Sequence, residues 1–454
     1  MTHSIAKEMH ASTVKALLNC FQQHSDVQRL VVAYSGGLDS MVLLHALVAL
    51  RNAGLEPRPI LAIHVNHQLS SNANQWQQHC ESICRQWDVP LQVSRVVVNA
   101  SGKGLEAAAR DQRYQVFSGV LQSGDGLLLA HHQNDQAETL LLRLMRGSGP
   151  KGLASMEPSK KFGAGTLLRP LLSVPRADLE VWANKFELSW VEDESNQTRD
   201  FDRNYLRHEI MPLLERRWPN FSERWQQTAD VCRATDVEIE AIAEQDLSQA
   251  DLRAERWGWS IDLHPMGAWD SFRRGNLLRC LLQRLTLSAP EQAHLQQVEQ
   301  QIFFAYDDAR SDVRWGDVSI RRFRQRLYVL PLAQALTAPT RGLQWDGQQP
   351  VQWPGGELIR WPVATGGMHW PAGMTVDVGV RQGGERCQPV GKDHSQKLKK
   401  LLLEYELEAW LRDLVPVLRY KDDIMAVGDL WVCDAFGASD NQQGYRIEWQ
   451  RNAD

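Results

Sequence analysis

The sequence predicts an α/β fold for about its first 215 residues, built on a doubly wound parallel sheet. A helical middle domain and a small α+β C-terminal domain are expected after it. Three observations support this prediction. Short apolar runs alternate with amphipathic runs in the first part, the pattern becomes mostly helical from about residue 216, and a compact glycine-rich and basic segment begins near residue 375. Strand–helix alternation at this spacing is typical of parallel sheets covered by helices.

In the first domain, residues 1–215, predicted strands and helices alternate. We predict strands at Leu30–Ala33, Ile60–Val65, Leu91–Val98, Leu127–Ala130 and Leu188–Val191. We predict helices at Met41–Arg51, Ala73–Trp87, Leu105–Leu121, Gln136–Met145 and Arg176–Phe186. Because ligands of doubly wound sheets bind beyond the carboxyl ends of the strands, we expect the functional residues at that edge.

The remaining chain is predicted to form two further domains. Residues 216–333 form the helical middle domain, residues 334–374 a linker or a small β segment rich in proline, glycine and tryptophan, and residues 375–454 the C-terminal domain. In the last of these, the glycine-rich RQGGER precedes a predicted basic helix, QKLKKLLLEYELEAWLRD. The length of 454 residues agrees with several domains, since single cores seldom exceed about 250–300 residues.

The composition excludes several classes of protein. No apolar run reaches the roughly 18 residues that a membrane-spanning helix needs, and the N-terminal MTHSIAKEMHAS lacks the apolar core of a secretory signal. We therefore expect a cytoplasmic protein without a membrane partner. The seven cysteines are scattered and form no Cys-x-x-Cys, so neither a disulfide framework nor a structural zinc site is predicted. A net charge of −5 neither indicates nor excludes an RNA partner.

The stretch YSGGLDSMVLLH joins the first predicted strand to the first predicted helix. A strand, a glycine-rich turn and a helix start aim backbone N–H groups at a phosphate, and the helix dipole favours an anion there. The lysine of a Walker A motif is absent. An acid, Asp39, stands in the turn instead, and beside phosphates it makes sense as a ligand of Mg²⁺. The alternative is a plain helix N-cap formed by Ser35 or Asp39. The candidate phosphate-binding residues are Ser35, Gly36, Gly37, Leu38, Asp39 and Ser40.

The pattern S-G-G-x-D-S after a first strand resembles the PP-loop of the N-type ATP pyrophosphatases, which have the fold of the adenine nucleotide alpha-hydrolases. The resemblance implies that the loop grips the pyrophosphate part of ATP, with Mg²⁺ near Asp39. It also implies that ATP is cleaved between its α- and β-phosphates, which yields an adenylated substrate and pyrophosphate.

Several further stretches resemble the tRNA(Ile)-lysidine synthetase family within this superfamily. The first is HVNHQ at residues 64–68, which is similar to the family's H-V-N-H-G. The resemblance implies that this strand end, with His64, lies against the adenine of ATP. Gln68 stands where glycine is usual, so the sequence departs from the family in this loop. The alternative is that His64 and His67 make ordinary hydrogen bonds at a strand end.

The second stretch is GLEAAARDQRY at residues 104–114, which is similar to the family's E-A-x-A-R-x-x-R-Y helix. Arg110 and Arg113 are three residues apart and share one helix face. The resemblance implies that they reach phosphates or a nucleotide. The alternative is a solvated helix face on which both arginines pair with Glu106.

The third stretch is HHQNDQAET at residues 131–139, which is similar to H-H-x-D-D-Q-A-E-T. Asp135 and Glu138 share one side of the first helical turn. The resemblance implies that they ligate Mg²⁺ or hold an amino group of lysine, and that His132 contacts a phosphate or a base. Asn134 replaces the first aspartate of the family's pattern. The alternative is N-capping by Asn134 or Asp135 with a glutamate three residues on, which is a capping-box-like arrangement.

The fourth stretch combines EDESN at residues 192–196 with DRNYLRH at residues 202–208, and it resembles the family's E-D-x-S-N and R-N-x-[LI]-R. Arg203 and Arg207 have the i, i+4 spacing of a phosphate clamp. The alternative is a surface salt network with Asp202 and Glu209.

The C-terminal RQGGER and WLRD are similar to the C-terminal domain of the same family, which implies that this domain holds tRNA. A role of the middle domain in tRNA binding follows from the same resemblance. Lysines beside a glycine-rich turn suit contacts to phosphates. A plain basic helix face is the alternative. The candidate tRNA-binding residues are Arg381, Arg386, Lys397, Lys399 and Lys400.

The resemblance implies a reaction in two steps. O2 of the wobble cytidine in the CAU anticodon of tRNA-Ile attacks the α-phosphate of ATP, and pyrophosphate leaves. The ε-amine of free L-lysine then attacks C2 and expels AMP, with Asp135 or Glu138 orienting or deprotonating the amine. Dimers occur in the family, which allows a homodimer here.

Three other functions share the loop. A tRNA thiolase of the same superfamily would use cysteines, often as Cys-x-x-Cys, and none is present. An amidating PP-loop ligase would need a glutaminase, for which no nucleophile motif is evident, and the basic C-terminal segment would have no role. A non-catalytic nucleotide- or RNA-binding protein would agree with the departures at Asn134 and Gln68.

Overall fold

The computed structural model describes residues 11–98, 104–192, 194, 201–304, 311–332, 339, 342–439 and 441–450. The chain forms two compact units, Met1–Glu238 and Ile239–Asp454. Most of the predicted middle domain and all of the predicted C-terminal domain therefore lie in the second unit. In the described part of the chain, no helix combines the length and the apolarity that crossing a bilayer requires.

A six-stranded sheet forms the centre of the first unit. Its strands are β1 Arg29–Ala33, β2 Ile60–Asn66, β3 Leu91–Arg95, β4 Asp125–Leu128, β5 Ser159–Phe162 and β6 Gly165–Leu168. Their order is β3-β2-β1-β4-β6-β5, and neighbours are parallel except in the β5–β6 hairpin. The predicted doubly wound sheet is confirmed. The strand order reverses between β1 and β4, and such a reversal opens a crevice at their carboxyl ends.

Helices cover both faces of this sheet. The helices of this part of the chain are α1 Ser12–Gln23, α2 Leu38–Asn52, α3 Ala73–Gln86, α4 Leu105–Val120, α5 Gln133–Met145, α6 Pro150–Leu153, α7 Arg176–Lys185, α8 Asp202–Tyr205, α9 Met211–Arg217 and α10 Phe221–Gln249. A π-helical turn, Leu206–Ile210, joins α8 to α9. The division between the two units falls inside α10.

The two faces of the sheet carry separate apolar cores. Helix α2 is apolar around most of its circumference, which is the pattern of a buried helix, and its Leu44 belongs to one core with Val32 of β1 and Trp182 of α7. On the opposite face, Phe117 of α4 belongs to a core with Ile63 of β2. Burial of such side chains stabilises the fold by about 1.5–3 kcal/mol each.

The strand predicted at Leu188–Val191 is wrong. This segment follows α7, and its backbone is used elsewhere: the Leu188 amide donates to Ala183 O, and the Val191 amide donates to Gly36 O. The hairpin β5–β6 extends the sheet instead. Its strands have only four residues each, too few to show a clear period in the sequence.

The middle segment contains the predicted helices and also a sheet that the sequence analysis did not predict. Helices α11 Ser271–Arg284 and α12 Gln292–Val298 follow α10. The sheet consists of β7 Arg253–Ala254, β8 Trp259–Asp262, β9 Asp312–Trp315, β10 Val318–Phe323 and β11 Arg326–Pro331. Its order is β7-β8-β11-β10-β9, and all of its pairs are antiparallel.

The rest of the second unit consists mainly of short strands. They are β12 Leu343–Trp345, β13 Val351–Trp353, β14 Gly356–Val363, β15 Met368–His369, β16 Val376–Gly379, β17 Arg386–Cys387, β18 Gln396–Lys397, β19 Val417–Tyr420, β20 Asp423–Val427, β21 Trp431–Val432 and β22 Gly444–Gln450. Helix α13 is Leu398–Glu404. Since β12 pairs with β16 and β14 pairs with β22, a boundary at residue 374 does not separate two sheets.

Candidate active site at the carboxyl edge of the parallel sheet

The loop between β1 and α2 is held in shape by its own serines. Ser35 Oγ and Ser40 Oγ lie 3.0 Å apart, and Ser40 Oγ donates to Gly37 O at 3.0 Å. The Gly37 amide donates to Ser35 Oγ at 3.3 Å. Helix α2 begins immediately afterwards, at Leu38. Because the first amides of a helix have no partner within it, the loop presents several N–H donors at the carboxyl end of β1.

Gly36 is required by both its backbone and its surroundings. Its φ is +86°, a conformation that side chains with a Cβ rarely adopt. A Cβ atom there would lie 2.8 Å from Cys80 Sγ and 3.1 Å from Val191 Cγ2. The loop is therefore closely packed against α3 and against the segment that follows α7, which fixes the position of its donors.

Asp39 lies in the first turn of α2 and faces His132 and Arg176. Its Oδ2 is 3.7 Å from His132 Nε2, and its Oδ1 is 3.9 Å from Arg176 Nε. Oδ1 is buried and has no hydrogen-bond partner among the described residues. Burial raises the pKa of the Asp39 carboxyl, although the attraction of His132 opposes this rise.

Helix α5 begins with a capping box between His132 and Asp135. The Asp135 amide donates to His132 Nδ1 at 3.4 Å, and the His132 amide donates to Asp135 Oδ2 at 3.1 Å. A capping box is therefore present, but its cap is His132 and not Asn134 or Asp135, which the alternative named. Because Nδ1 accepts a hydrogen bond, the proton of a neutral His132 ring lies on Nε2, which faces Asp39. The ring thereby bridges the loop after β1 and the helix after β4.

Two arginines bind the two predicted carboxylates. Arg203 donates from Nε to Glu138 Oε2 at 2.7 Å and from Nη2 to Asp135 Oδ1 at 3.1 Å. Arg207 donates from Nε to Glu138 Oε1 at 2.7 Å and from Nη2 to Asp135 Oδ1 at 3.0 Å. These four side chains are called the carboxylate–arginine cluster below. In this structure both arginines contact carboxylates, and their predicted contact with phosphate remains a prediction.

The carboxylates of the cluster are the buried partners. The side chain of Glu138 is 2% exposed and that of Asp135 is 10% exposed, against 30% for each arginine. Burial acts to raise the pKa of Asp135, but His132 and Arg203 outweigh it and hold the pKa well below its usual range. Asp135 is therefore ionised, and it is a weak base.

A second group of residues lies beside His131. The buried Arg169, which immediately follows β6, donates from Nε to His131 Nδ1 at 3.2 Å. Arg110 lies over the ring of Tyr114 and donates to its hydroxyl at 3.3 Å. Burial lowers the pKa of His131 to about 3, so this ring is neutral and carries its proton on Nε2. Arg169 is not among the predicted site residues, because the short strand β6 was not predicted from the sequence.

The residues at the end of β2 differ in exposure. His64 is buried, and its Nδ1 lies 3.0 Å from Tyr34 O. The exposed Arg113 donates to His67 Nε2 at 3.4 Å, and burial lowers the pKa of His67 to about 4. Gln68 has φ of +55°, which explains why glycine is usual there in the family. A residue with a Cβ costs roughly 1–2 kcal/mol in this conformation.

Part of the fourth motif lies outside the described residues, namely Asp193, Ser195 and Asn196, and the side chain of Glu106 is not described either. The contacts of Arg203 and Arg207 are with the carboxylates of Asp135 and Glu138, which the predicted surface network did not include.

The predicted tRNA-binding residues lie in the second unit, on short elements. Lys397, Lys399 and Lys400 are exposed on β18 and α13, and Arg386 is exposed on β17. The basic helix is shorter than predicted, because α13 ends at Glu404. Arg381 pairs with Asp413. Within the glycine-rich turn, Glu385 accepts from Arg419 Nη2 at 2.6 Å, which anchors the turn to β19.

Comparison with known proteins agrees with this geometry. A model of the PP-loop domain matches residues 9–214, the TilS substrate binding domain matches residues 262–328, and the TilS substrate C-terminal domain matches residues 376–449. The tRNA(Ile)-lysidine synthase of Coxiella burnetii (strain RSA 493 / Nine Mile phase I) is 36% identical over 425 residues, which cover 92% of each chain. The chain belongs to the tRNA(Ile)-lysidine synthase family.

Other members of this family are similar over the same length. The tRNA(Ile)-lysidine synthase of Shigella flexneri is 37% identical, and the match covers 93% of this chain and 96% of the relative. That of Escherichia coli O157:H7 is also 37% identical, with 94% and 97% covered. The matches extend over both structural units, so the resemblance is not confined to the ATP-binding domain.

We expect Gly36→Ala to reduce ATP binding at least tenfold, because the added Cβ meets Cys80 and the positive φ becomes strained. The change should also lower the free energy of unfolding by about 1–3 kcal/mol. Titration with ATP and thermal unfolding measure the two effects.

Gly119→Ala is the matched control, because a Cβ at Gly119 in α4 meets no atom within 4 Å. It should bind ATP normally and be as stable or slightly more stable. Normal ATP binding by Gly36→Ala would contradict the assigned role of the loop.

Proposed function

We propose that the chain ligates free L-lysine to C2 of the wobble cytidine in the CAU anticodon of tRNA-Ile, with cleavage of ATP to AMP and pyrophosphate. The observation that carries this proposal is the juxtaposition of two sites. His132 lies between Asp39, at the anion-binding loop, and the buried Asp135, and its Nε2 is 3.7 Å and 3.5 Å from their carboxylates. The reaction needs both features. Pyrophosphate, the leaving group of the first step, is an anion, and lysine, the nucleophile of the second step, binds as a cation.

The loop after β1 would hold the triphosphate of ATP. The first amides of α2 supply neutral donors, the hydroxyls of Ser35 and Ser40 hold the loop in shape, and the helix start favours the anion. The attack on the α-phosphate develops negative charge there, which fixed donors stabilise without reorganisation. O2 of cytidine becomes bonded to the α-phosphate, and the bond to pyrophosphate breaks.

The residues around Asp39 fit Mg²⁺. Asp39 Oδ1 is a buried oxygen without a hydrogen-bond partner among the described residues, and carboxylate oxygens are the ligands that Mg²⁺ prefers. Among the described side chains, no group of three or more histidine, cysteine or acidic residues could hold a metal, so its other ligands would be phosphates and water. Bound Mg²⁺ would neutralise charge on the phosphates and on Asp39.

The carboxylate–arginine cluster would hold the lysine. An ammonium group carries the same charge as a guanidinium, so it can take over one of the contacts that Arg203 and Arg207 make with Asp135 and Glu138. Because its pKa is low, Asp135 is suited to orient the amine rather than to deprotonate it. We assign deprotonation to Glu138. The arginine released from the carboxylate would be free to contact phosphate, as its i, i+4 spacing predicts.

The exposed basic residues of the second unit would bind the tRNA backbone. Contacts with phosphates position an RNA without reading its sequence. The wobble base itself must leave the anticodon stack, as recognition of single-stranded RNA normally requires. We place the reaction in the cytoplasm, and a homodimer agrees with the family.

A thiolase function is not favoured by Cys80 and Cys84, the two cysteines of α3. Burial raises the pKa of Cys80 and of Cys84 to about 12, which makes both poor nucleophiles at neutral pH.

Incubation of the protein with labelled lysine, ATP, MgCl₂ and bulk bacterial tRNA tests the proposal. We expect acid-insoluble label that survives mild alkaline deacylation and is released by ribonuclease, because lysidine contains a stable C–N bond. AMP release that depends on tRNA without incorporation of lysine would instead identify another second substrate. Absence of both signals would contradict the proposal.

Asp39→Ala should abolish AMP formation and leave the fold intact, because Asp39 Oδ1 makes no hydrogen bond to another described residue. Quantification of AMP with labelled ATP, alongside circular dichroism, measures both effects. Normal turnover by a folded Asp39→Ala protein would refute the role in metal binding.

Replacement of Lys397, Lys399 and Lys400 by alanine together should raise the Kd for tRNA and flatten its dependence on salt. On a duplex the slope of log K against log salt changes by about 0.9 for each lost phosphate contact. The matched control replaces the same three residues by arginine, which preserves the charge and should preserve the slope. An unchanged slope in the alanine variant would place the tRNA site elsewhere.

A further inference from the structure

A third arginine lies beside the anion-binding loop. Arg176 is the first residue of α7, and its Nε is 3.9 Å from Asp39 Oδ1 and 3.7 Å from Glu180 Oε1. These separations exceed those of direct hydrogen bonds. The side chain is 43% exposed. The guanidinium is thus attracted to two carboxylates, one of which, Asp39, lies in the first turn of α2 directly after the loop.

Asn134 fixes the start of α7. The Arg176 amide donates to Asn134 Oδ1 at 3.1 Å, and the adjacent Gln133 amide donates to Val174 O at 3.0 Å. These bonds join the first turns of α5 and α7. An aspartate at position 134 would accept the same hydrogen bond from Arg176. Although Asn134 departs from the family's pattern, it therefore preserves the hydrogen bond to the Arg176 amide that positions Arg176.

Of the three arginines near Asp39, Arg176 is the one best able to bind an incoming anion. A triphosphate that enters the loop meets the carboxylate of Asp39, which by itself repels it. The guanidiniums of Arg203 and Arg207 are hydrogen-bonded to Asp135 and Glu138 at 2.7–3.1 Å. Arg176 differs from them, because its carboxylate contacts are longer and it can turn to a new anion without breaking a direct hydrogen bond between described side chains.

We propose that Arg176 binds the diphosphate part of ATP and then the pyrophosphate that is released, and that Asn134 positions it. This proposal rests on the proposed function for the identity of the anion. Before the diphosphate binds, the guanidinium offsets part of the negative charge of Asp39 and Glu180. When the diphosphate enters, the guanidinium donates to its oxygens, and it returns to the carboxylates when pyrophosphate dissociates. Arg176 therefore contributes to the affinity for ATP, the substrate of the first step, and for pyrophosphate, its product.

Binding of inorganic pyrophosphate to the full chain tests this assignment directly. The titration is carried out in MgCl₂ without tRNA or lysine, and AMP serves as a ligand that lacks the diphosphate. We expect Arg176→Ala to weaken binding of pyrophosphate and of ATP by about 10- to 100-fold and to leave AMP binding unchanged. Arg176→Lys should recover part of the loss, because it restores the charge without the planar fork.

Two further variants separate positioning from folding. Asn134→Asp should bind pyrophosphate as the original chain does, whereas Asn134→Ala should show a smaller loss than Arg176→Ala. Arg146→Ala is the control for loss of an exposed arginine at the opposite end of α5, and it should change neither affinity. Thermal unfolding of each variant tests whether the protein remains folded.

The outcomes distinguish this proposal from the proposed function. Equal pyrophosphate binding by the original chain and by Arg176→Ala would overturn the role of Arg176 and leave lysine ligation standing. Weakened binding by Arg176→Ala, in a chain that incorporates no labelled lysine into tRNA, would support Arg176 and contradict the ligation. A chain that binds neither ATP nor pyrophosphate would overturn both.

Discussion

The site depends on four charges, two of them buried, at the carboxyl edge of the parallel sheet. Glu138 and Asp135 are almost inaccessible to water, and Arg203 and Arg207 each bind both of them. Removing one partner from such a cluster leaves a buried charge uncompensated, which typically costs about 3–5 kcal/mol. The cluster thereby fixes α5 relative to the segment that follows the catalytic-domain sheet. It also places two carboxylates side by side at the proposed amine site.

The topology of the sheet brings this cluster to the proposed phosphate-binding loop. β1 and β4 are neighbours, and the chain leaves them in opposite directions, so the helices that follow both strands begin beside the same crevice. One of these helices begins with the loop and Asp39, and the other begins with His132 and Asp135. The His132 ring spans the gap. Under the proposed function, adenylation and capture of the amine would therefore take place at one location, on the helix starts that follow two adjacent strands.

Much of the first unit followed from the sequence, because long periodic runs and the S-G-G-x-D-S turn have strong physical signatures. The same reasoning failed where a side chain's partner lies far along the chain. The spacing of Arg203 and Arg207 showed that they share a helix face, but it did not show that this face meets Asp135 and Glu138. Arg169 was not predicted as a site residue, because the four-residue strand that precedes it was not predicted either. Asn134 looked like a departure from the family's pattern, and only the structure showed that it accepts a hydrogen bond from the Arg176 amide.

We assign Asp39 to the first step and Glu138 to the second, and a single-turnover experiment on Glu138→Gln tests this division most directly. Glutamine keeps an acceptor for the arginines but cannot take a proton. With labelled ATP and labelled lysine in parallel, we expect adenylated tRNA to form at nearly the original rate and lysidine formation to fall by about 10²-fold or more, in a protein whose thermal unfolding shows that it is folded. Equal losses in the two steps would contradict the account and would place Glu138 in the ATP chemistry.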